Sequence, residues 1–289
     1  MPAHAFTIDL EDWNQMLTHR LTGSFGEALP VTVSATHRLL DALDEAKVRA
    51  TFFVVGVFAE VFPDLVREVH RRGHEIGSHS YTHRLIYTLT PEEFRADMRR
   101  SVAQLEDLTG TKIHGFRAPE FSVQRLGHWC FDVLAELGFT YDSSVFPTGG
   151  VRYGIASASR EPFRLNTSSG SLWEFPLATW NYRGHVLPVA GGTYYRLWPQ
   201  SLLRRAIEDL DSRDSGSVFY FHPYEFHKGR LRLNAVSLKT RFSPEHVKYF
   251  VLHNFRTPRI LRSVKFVLSR LEFRPLGQIC SALNSGMST

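Results

Sequence analysis

The sequence predicts an α/β protein built on a parallel sheet or barrel. Short β-prone apolar runs alternate with stretches of helical periodicity through much of the chain. Several of those runs end in Asp, Glu, His or Arg, and in such folds chemistry gathers at the C-terminal ends of strands. The length of 289 residues, 43% hydrophobic, fits one large α/β domain or two small ones with a sizeable core, and no domain linker divides it.

The elements follow in order. Ala5 to Leu10 is an apolar run ending in Asp9, Glu11 and Asp12, and reads as a buried strand with acids at its end. Thr36 to Lys47 carries Leu39, Leu40, Leu43 and Ala46 at helical spacing. RATFFVV, residues 49–55, is a continuous β-prone run. Val57 to Arg72 has a helical pattern, with Gly73 as its stop. HEIGSH, residues 74–79, is a third short strand.

His79 and His83 are spaced i,i+4, and on one helical turn two imidazoles so spaced share a face and grip one metal ion. Thr90-Pro91-Glu92-Glu93 is a capping box that opens a helix ending at Gly110. GFRAPE, residues 115–120, reads as strand and turn, and a helix from about Leu126 to Leu137 precedes FTYDSSVFP with Asp142 at a strand end. Thr148 to Gly170 is polar and irregular, a long loop. SLWEFPL, residues 171–177, is a strand interrupted at Pro176. GGTYYRLW, residues 191–198, is either cleft lining, through Tyr194 and Tyr195, or core. Pro199 to Asp211 is a helix, and SVFYFH, residues 217–222, is a strand ending in His222.

Composition limits the function classes. Formal charge is +5 and the pI about 9.3, but no basic motif points to nucleic acid. Cys130 and Cys280 are the only cysteines, so there is no disulfide framework. No apolar run is long enough for a transmembrane helix. MPAHAFTIDL has no basic region followed by an apolar segment, so a cytoplasmic protein is expected. A basic amphipathic helical extension is expected at about residues 255–275. It carries Ile260, Leu261, Val264, Val267, Leu268 and Leu271 among Arg and Lys, and suits a packed surface helix or contact with the inner face of the membrane or a lipid-linked substrate.

TIDLEDW, ATFFVVG, HEIGSHSYTHR, GFRAPEFS, LGFTYDSSVFP and FYFHPYEF occur in that order. Together they resemble the polysaccharide deacetylases of carbohydrate esterase family 4, the NodB-homology domain, and within it the branch associated with exopolysaccharide and exosortase systems. The resemblance runs from about Ala5 to about Phe226, and the YYRLWP segment and basic tail also look like that branch.

It implies a distorted (β/α) barrel and metal-dependent removal of acetyl groups from N-acetylated sugars. By the resemblance Asp9 is the general base, His79 and His83 bind the metal, Arg117 orients the base, the Glu120 N–H faces the oxyanion, His222 is the general acid and Asp142 supports the site. Zinc suits the ligand set, with nickel and cobalt as alternatives.

Two departures matter. Many relatives have adjacent aspartates in the first motif, the second binding the metal; here Asp9 is followed by Leu10, Glu11 and Asp12. Strand alternation favours Glu11, residue type favours Asp12, and both remain candidates. Asp142 is followed by two serines rather than a nearby Trp, so the acetyl pocket falls to Phe146, Trp173 or Trp180. The competing readings are an allantoinase-like hydrolase of a small cyclic amide and a non-catalytic sugar-binding module.

Overall fold

The computed structural model describes residues 3–149, 154–213, 215–234, 237 and 242–286. Strand β1 (Ala5–Leu10) is buried along its whole length, as a central parallel strand must be. Asp12 follows it and caps helix α1 (Trp13–Thr22), accepting from Gln15 N at 2.8 Å. Helix α2 (Pro30–Glu45) has proline in its first turn and leads to β2 (Thr51–Val54).

The helical stretch expected over 57–72 is two helices, α3 (Gly56–Val61) and α4 (Pro63–Arg71). Pro63 is the cause: it disfavours helical backbone in the residue before it, and Phe62 adopts φ −125°, ψ 57°. Strand β3 (Glu75–Ser78) and helix α5 (Pro91–Thr109) follow. The capping box of α5 is formed in both directions: Glu93 N donates to Thr90 Oγ1 at 3.2 Å and Thr90 N to Glu93 Oε2 at 2.9 Å.

Strand β4 (Gly115–Phe116), helix α6 (Cys130–Glu136) and strand β5 (Tyr141–Asp142) are short. Gly115 is required because a Cβ there would collide with the Tyr141 ring on the neighbouring strand. The expected long loop contains a strand, β6 (Phe163–Thr167), which forms a hairpin with β7 (Gly170–Glu174). A second hairpin, β8 (Thr179–Tyr182) and β9 (His185–Pro188), stands apart from the main sheet. Then come α7 (Gly192–Leu197), α8 (Gln200–Asp211), β10 (Val218–Phe221), α9 (Pro244–Asn254), α10 (Pro258–Arg270) and α11 (Leu276–Asn284).

The main sheet runs β10–β1–β2–β3–β4–β5–β7–β6, parallel throughout except for the β6–β7 hairpin at one edge. Just beyond β7, Leu177 bridges Val218 of β10, so the sheet curls back toward its opposite edge. The result is a distorted half-barrel. Helix α11 packs at its N-terminal end, where Leu276 N donates to Thr51 Oγ1 at 2.8 Å and Gly277 N to Glu75 Oε2 at 3.0 Å. The opposite end, where the parallel strands finish, is left for the site.

Helix α10 is the basic amphipathic segment. Its apolar side is used up in the fold, since Ile260, Val264, Val267 and Leu268 belong to the main core. Among the described residues no helix is long and apolar enough to cross a membrane. Cys130 and Cys280 are both free and buried.

Candidate active site

Asp9 is the penultimate residue of β1, and Glu11 lies one alternation further on, so both carboxylates reach the same end of the sheet. Asp12 points the other way. Besides capping α1, its carboxylate accepts from Leu29 N at 3.2 Å and from Thr32 Oγ1. Between the two candidate acids, the geometry gathers Glu11 with the histidines and leaves Asp12 holding the α1–α2 connection.

His79 follows β3 and is buried. Its Nδ1 lies 2.8 Å from the Arg117 carbonyl, which makes that nitrogen the donor and leaves Nε2 to the cleft. The segment to His83 is not a helical turn. Ser80 and His83 have left-handed backbone, φ 63° and 53°, and Asp97 of α5 accepts from Tyr81 N at 2.6 Å and Thr82 N at 3.1 Å. Ser80 Oγ accepts from His83 N at 2.9 Å. This folded-back loop, rather than an i,i+4 helical face, brings the two rings to 5.1 Å between centroids. One ligand atom each from Glu11, His79 and His83 lie within 4.8 Å of one another.

Arg117 is fully buried under the site. Nη1 reaches Asp9 Oδ1 at 2.9 Å and Thr7 Oγ1 at 2.7 Å, Nε the Ser143 carbonyl at 2.9 Å and Nη2 the Ser143 hydroxyl at 2.8 Å. The guanidinium also stacks 4.3 Å from the Phe53 ring centroid. His222, at the end of β10, completes the cluster: its Nε2 is 3.9 Å from Asp9 Oδ2 and 3.7 Å from Glu11 Oε1. Asp142 stands behind. It accepts from the Ser144 hydroxyl at 2.7 Å, and that hydroxyl accepts from Ala118 N at 2.8 Å, so Asp142 steadies the loop after Arg117. Glu120 lies in that loop at φ 51°, its carboxylate 2.9 Å from Arg20. His83, Glu120 and Phe121 all line the cleft with left-handed backbone, which costs each about 1–3 kcal/mol and is typical of functional sites.

The electrostatics are consistent with this packing. Burial pushes the Glu11 carboxyl up, but His83, His222 and His79 around it win and hold it at about 2. Burial drives the His79 imidazole down to about 4 despite Asp9 beside it. His83 is raised, because Glu11 outweighs burial. His222 rises to about 9: burial opposes, and Glu225, Glu11 and Asp9 prevail. Glu11 Oε2 and His83 Nε2 are 2.9 Å apart, an ion pair in the cleft. Two imidazole nitrogens and a carboxylate oxygen within 4.8 Å of one another fit a divalent cation with open positions.

The aromatic expectations divide. Tyr194 lines the cleft; Tyr195, next to it on α7, points about 100° away and is buried edge-on against Phe221 at 5.0 Å. Phe146 is buried behind the wall, 6.5 Å from Tyr194. Trp173 is on β7, remote from the cleft, with its indole N–H donating to Asn284 Oδ1 at 2.9 Å. Trp180 is buried and stacked on Tyr182 at 4.6 Å. None of Phe146, Trp173 and Trp180, the expected acetyl-pocket residues, lines the cleft. The cleft of ≈ 940 Å³ is instead walled by Trp13, Phe121, Tyr220, Tyr224 and Tyr249, which sequence reasoning missed.

Glu225 and Arg196 stand behind His222. Glu225 accepts from His222 N at 3.0 Å and pairs with Arg196 Nη1 at 3.1 Å, all three buried or nearly so. The i,i+3 spacing of His222 and Glu225 was a visible signal; nothing in the sequence marked Arg196.

Comparison with known proteins agrees with the geometry. Residues 26–141 match the family model described as polysaccharide deacetylase, and residues 143–274 match a domain of unknown function, DUF3473. A peptidoglycan-N-acetylglucosamine deacetylase of Bacillus cereus is 34% identical over 84 residues, 29% of this chain and 30% of the relative. The chain spans less than half the length of the curated relatives it matches. Among solved structures, a Mycobacterium smegmatis protein described as a polysaccharide deacetylase superposes with TM-score 0.62 at 21% identity, covering 100% of this chain and 97% of that one. A PuuE allantoinase superposes with TM-score 0.65 at 16% identity, covering 99% of this chain and 91% of that one. At those identities the superpositions speak for the fold alone. Residues 26–141 thus carry a polysaccharide deacetylase domain of the NodB-homology type, and the curled sheet has the fold of the solved polysaccharide deacetylase structure.

Proposed function

We propose that this chain hydrolyses the N-acetyl group of an N-acetylated saccharide, with a divalent cation held by His79, His83 and Glu11. The observation that carries the reading is the convergence of those three ligands with Asp9 on one side and His222 beside it. Zinc suits the two imidazoles and one carboxylate, with nickel or cobalt as alternatives. A cation there would polarise the amide carbonyl and acidify water.

The chain's own residues supply the rest. Asp9, held by Arg117, accepts the proton of the attacking water. The water oxygen bonds to the acyl carbon, the C–N bond breaks, and His222 delivers a proton to the departing sugar nitrogen, leaving acetate and a free amine. The Glu120 N–H is assigned to the oxyanion. Phe121 and Tyr220, whose rings meet at 4.8 Å on the cleft wall, offer an apolar surface to the acetyl methyl. The cleft volume suits a saccharide of more than one unit better than a small cyclic amide. A bacterial exopolysaccharide or its precursor is the proposed substrate source, with which the match over residues 143–274 is compatible.

The test is acetate release from defined N-acetylhexosamine oligomers, with chelator and with added zinc. Release that chelator abolishes and zinc restores is expected. Ring-opening hydrolysis of allantoin, with no acetate released from any oligomer, would overturn the proposal.

A further inference from the structure

Charge along the chain is unevenly divided. Between His227 and Leu271 lie eleven Lys and Arg and a single acid, Glu245, so this stretch is +10 while the remainder is −5. Glu245 is itself paired with Arg20 at 3.0 Å. Arg230 and Arg232 emerge beside the C-terminal end of α9, because Leu231 N donates to Asn254 Oδ1 at 2.7 Å and Asn254 Nδ2 to the Leu231 carbonyl at 3.1 Å. Arg256 and Arg259 follow directly, and all four are exposed.

The same element exposes apolar side chains. Val247, Val251 and Phe255, spaced i, i+4 and i+8, are 46%, 57% and 40% exposed, and Phe242 just before the helix is 74% exposed. The inward side of α9 is occupied: Arg20 lies 4.6 Å over the Tyr249 ring and His253 packs 4.7 Å from Trp13. Lys248 and Leu252, one position on from Val247 and Val251, line the cleft. Val186, exposed at the tip side of the β8–β9 hairpin, lines it as well.

We propose that the outer face of α9, with Phe242 and Phe255 at its ends, docks on an anionic lipid membrane surface and sets the cleft mouth against it. A basic face with interleaved Phe and Val gives headgroup attraction and shallow apolar burial together. A second copy of this chain would bring two strongly basic faces together. A nucleic acid would use the basic groups but leave Val247 and Val251 without a partner. Docking there presents the cleft to saccharide carried at the membrane, and that last step rests on the deacetylase reading, whereas the docking does not.

The test is co-sedimentation of the full chain with phosphatidylcholine vesicles and with vesicles containing about a third phosphatidylglycerol, at low and high salt. Binding only to the anionic vesicles, weakened by salt, is expected. Val251→Asp with Phe255→Asp should lower it about tenfold or more, with acetate release from soluble oligomers unchanged. Arg256→Glu with Arg259→Glu should lower it similarly.

No binding to anionic vesicles at low salt overturns the proposal. So does binding indifferent to loss of Val251 and Phe255, equal binding to a DNA oligonucleotide, or self-association that the aspartate variant abolishes. Vesicle binding by a chain that releases no acetate from any oligomer would overturn the deacetylase reading and leave the docking standing.

Discussion

The Arg117 carbonyl lies 2.8 Å from Nδ1 of His79. The guanidinium of the same residue lies 2.9 Å from Asp9 Oδ1. One buried residue thus orients a proposed ligand through its backbone and the proposed base through its side chain. Arg117→Met should destabilise the chain by about 3–5 kcal/mol, because it strands Asp9 as an unpaired buried charge. Arg117→Lys should lose less stability but still lower turnover, since an ammonium cannot span Thr7, Asp9 and Ser143 at once. Denaturant titration with acetate release checks both; unchanged turnover in the lysine variant would refute the orienting role.

Metal content separates the two candidate acids. His79→Ala, His83→Ala and Glu11→Gln should each lower bound zinc per chain. Asp12→Asn should leave it unchanged and instead lower stability by about 1–3 kcal/mol, because the amide still caps Gln15 N but turns an NH2 toward the Leu29 N–H and Thr32 hydroxyl donors. Elemental analysis of the purified variants decides. Zinc lost from the asparagine variant and kept in Glu11→Gln would reverse the assignment.

Asp9→Asn should retain metal and lose turnover by about a hundredfold to ten-thousandfold, since an amide accepts no proton from water. His222→Ala should fall in the same range, less so for substrates with better leaving groups. Near-wild-type acetate release from a folded His222→Ala protein would remove the general acid from the scheme.

Asp142 and Glu174 face each other in register on β5 and β7, both fully buried. Among the described residues Glu174 Oε2 has no hydrogen-bond donor other than a proton shared with Asp142. Burial, and then the Asp142 charge, push the Glu174 carboxyl well above its usual range. The unfolded chain releases this proton near its ordinary pKa while the folded chain keeps it. Stability from the group is therefore complete in acid and falls as pH rises, by up to about 1.4 kcal/mol per pH unit until the folded group ionises. Glu174→Gln, which carries the donor permanently, should abolish that slope and melt above wild type at neutral and alkaline pH. Parallel melting curves from pH 5 to 9 would show the shared proton to be absent.

The alternation of β-prone and helical stretches, the Thr90–Glu93 capping box and the placement of Asp9, His79, Arg117 and His222 at strand ends were legible in the sequence. These features are local, set by the two-residue repeat of a strand, the helical repeat and the chemistry of a cap. Helices α1, α7, α9 and α11 were not anticipated. Pro63 divided a helix whose hydrophobic pattern ran straight through it.

Tertiary structure alone decided which way neighbouring side chains face. Glu11 and Asp12 are adjacent, yet one enters the cleft and the other caps a helix, because the strand's alternation continues one residue past its last ladder bond. Tyr194 and Tyr195 divide between cleft and core for the same kind of reason, a helical turn placed against β10. His79 and His83 meet through a left-handed loop held by Asp97, a contact that their spacing does not encode. His222 reaches Asp9 only because β10 pairs with β1 across more than two hundred residues of chain. Local sequence specifies periodicity and caps. Which side chains share a cleft depends on strand order and curl, and those are fixed by burying the whole core at once.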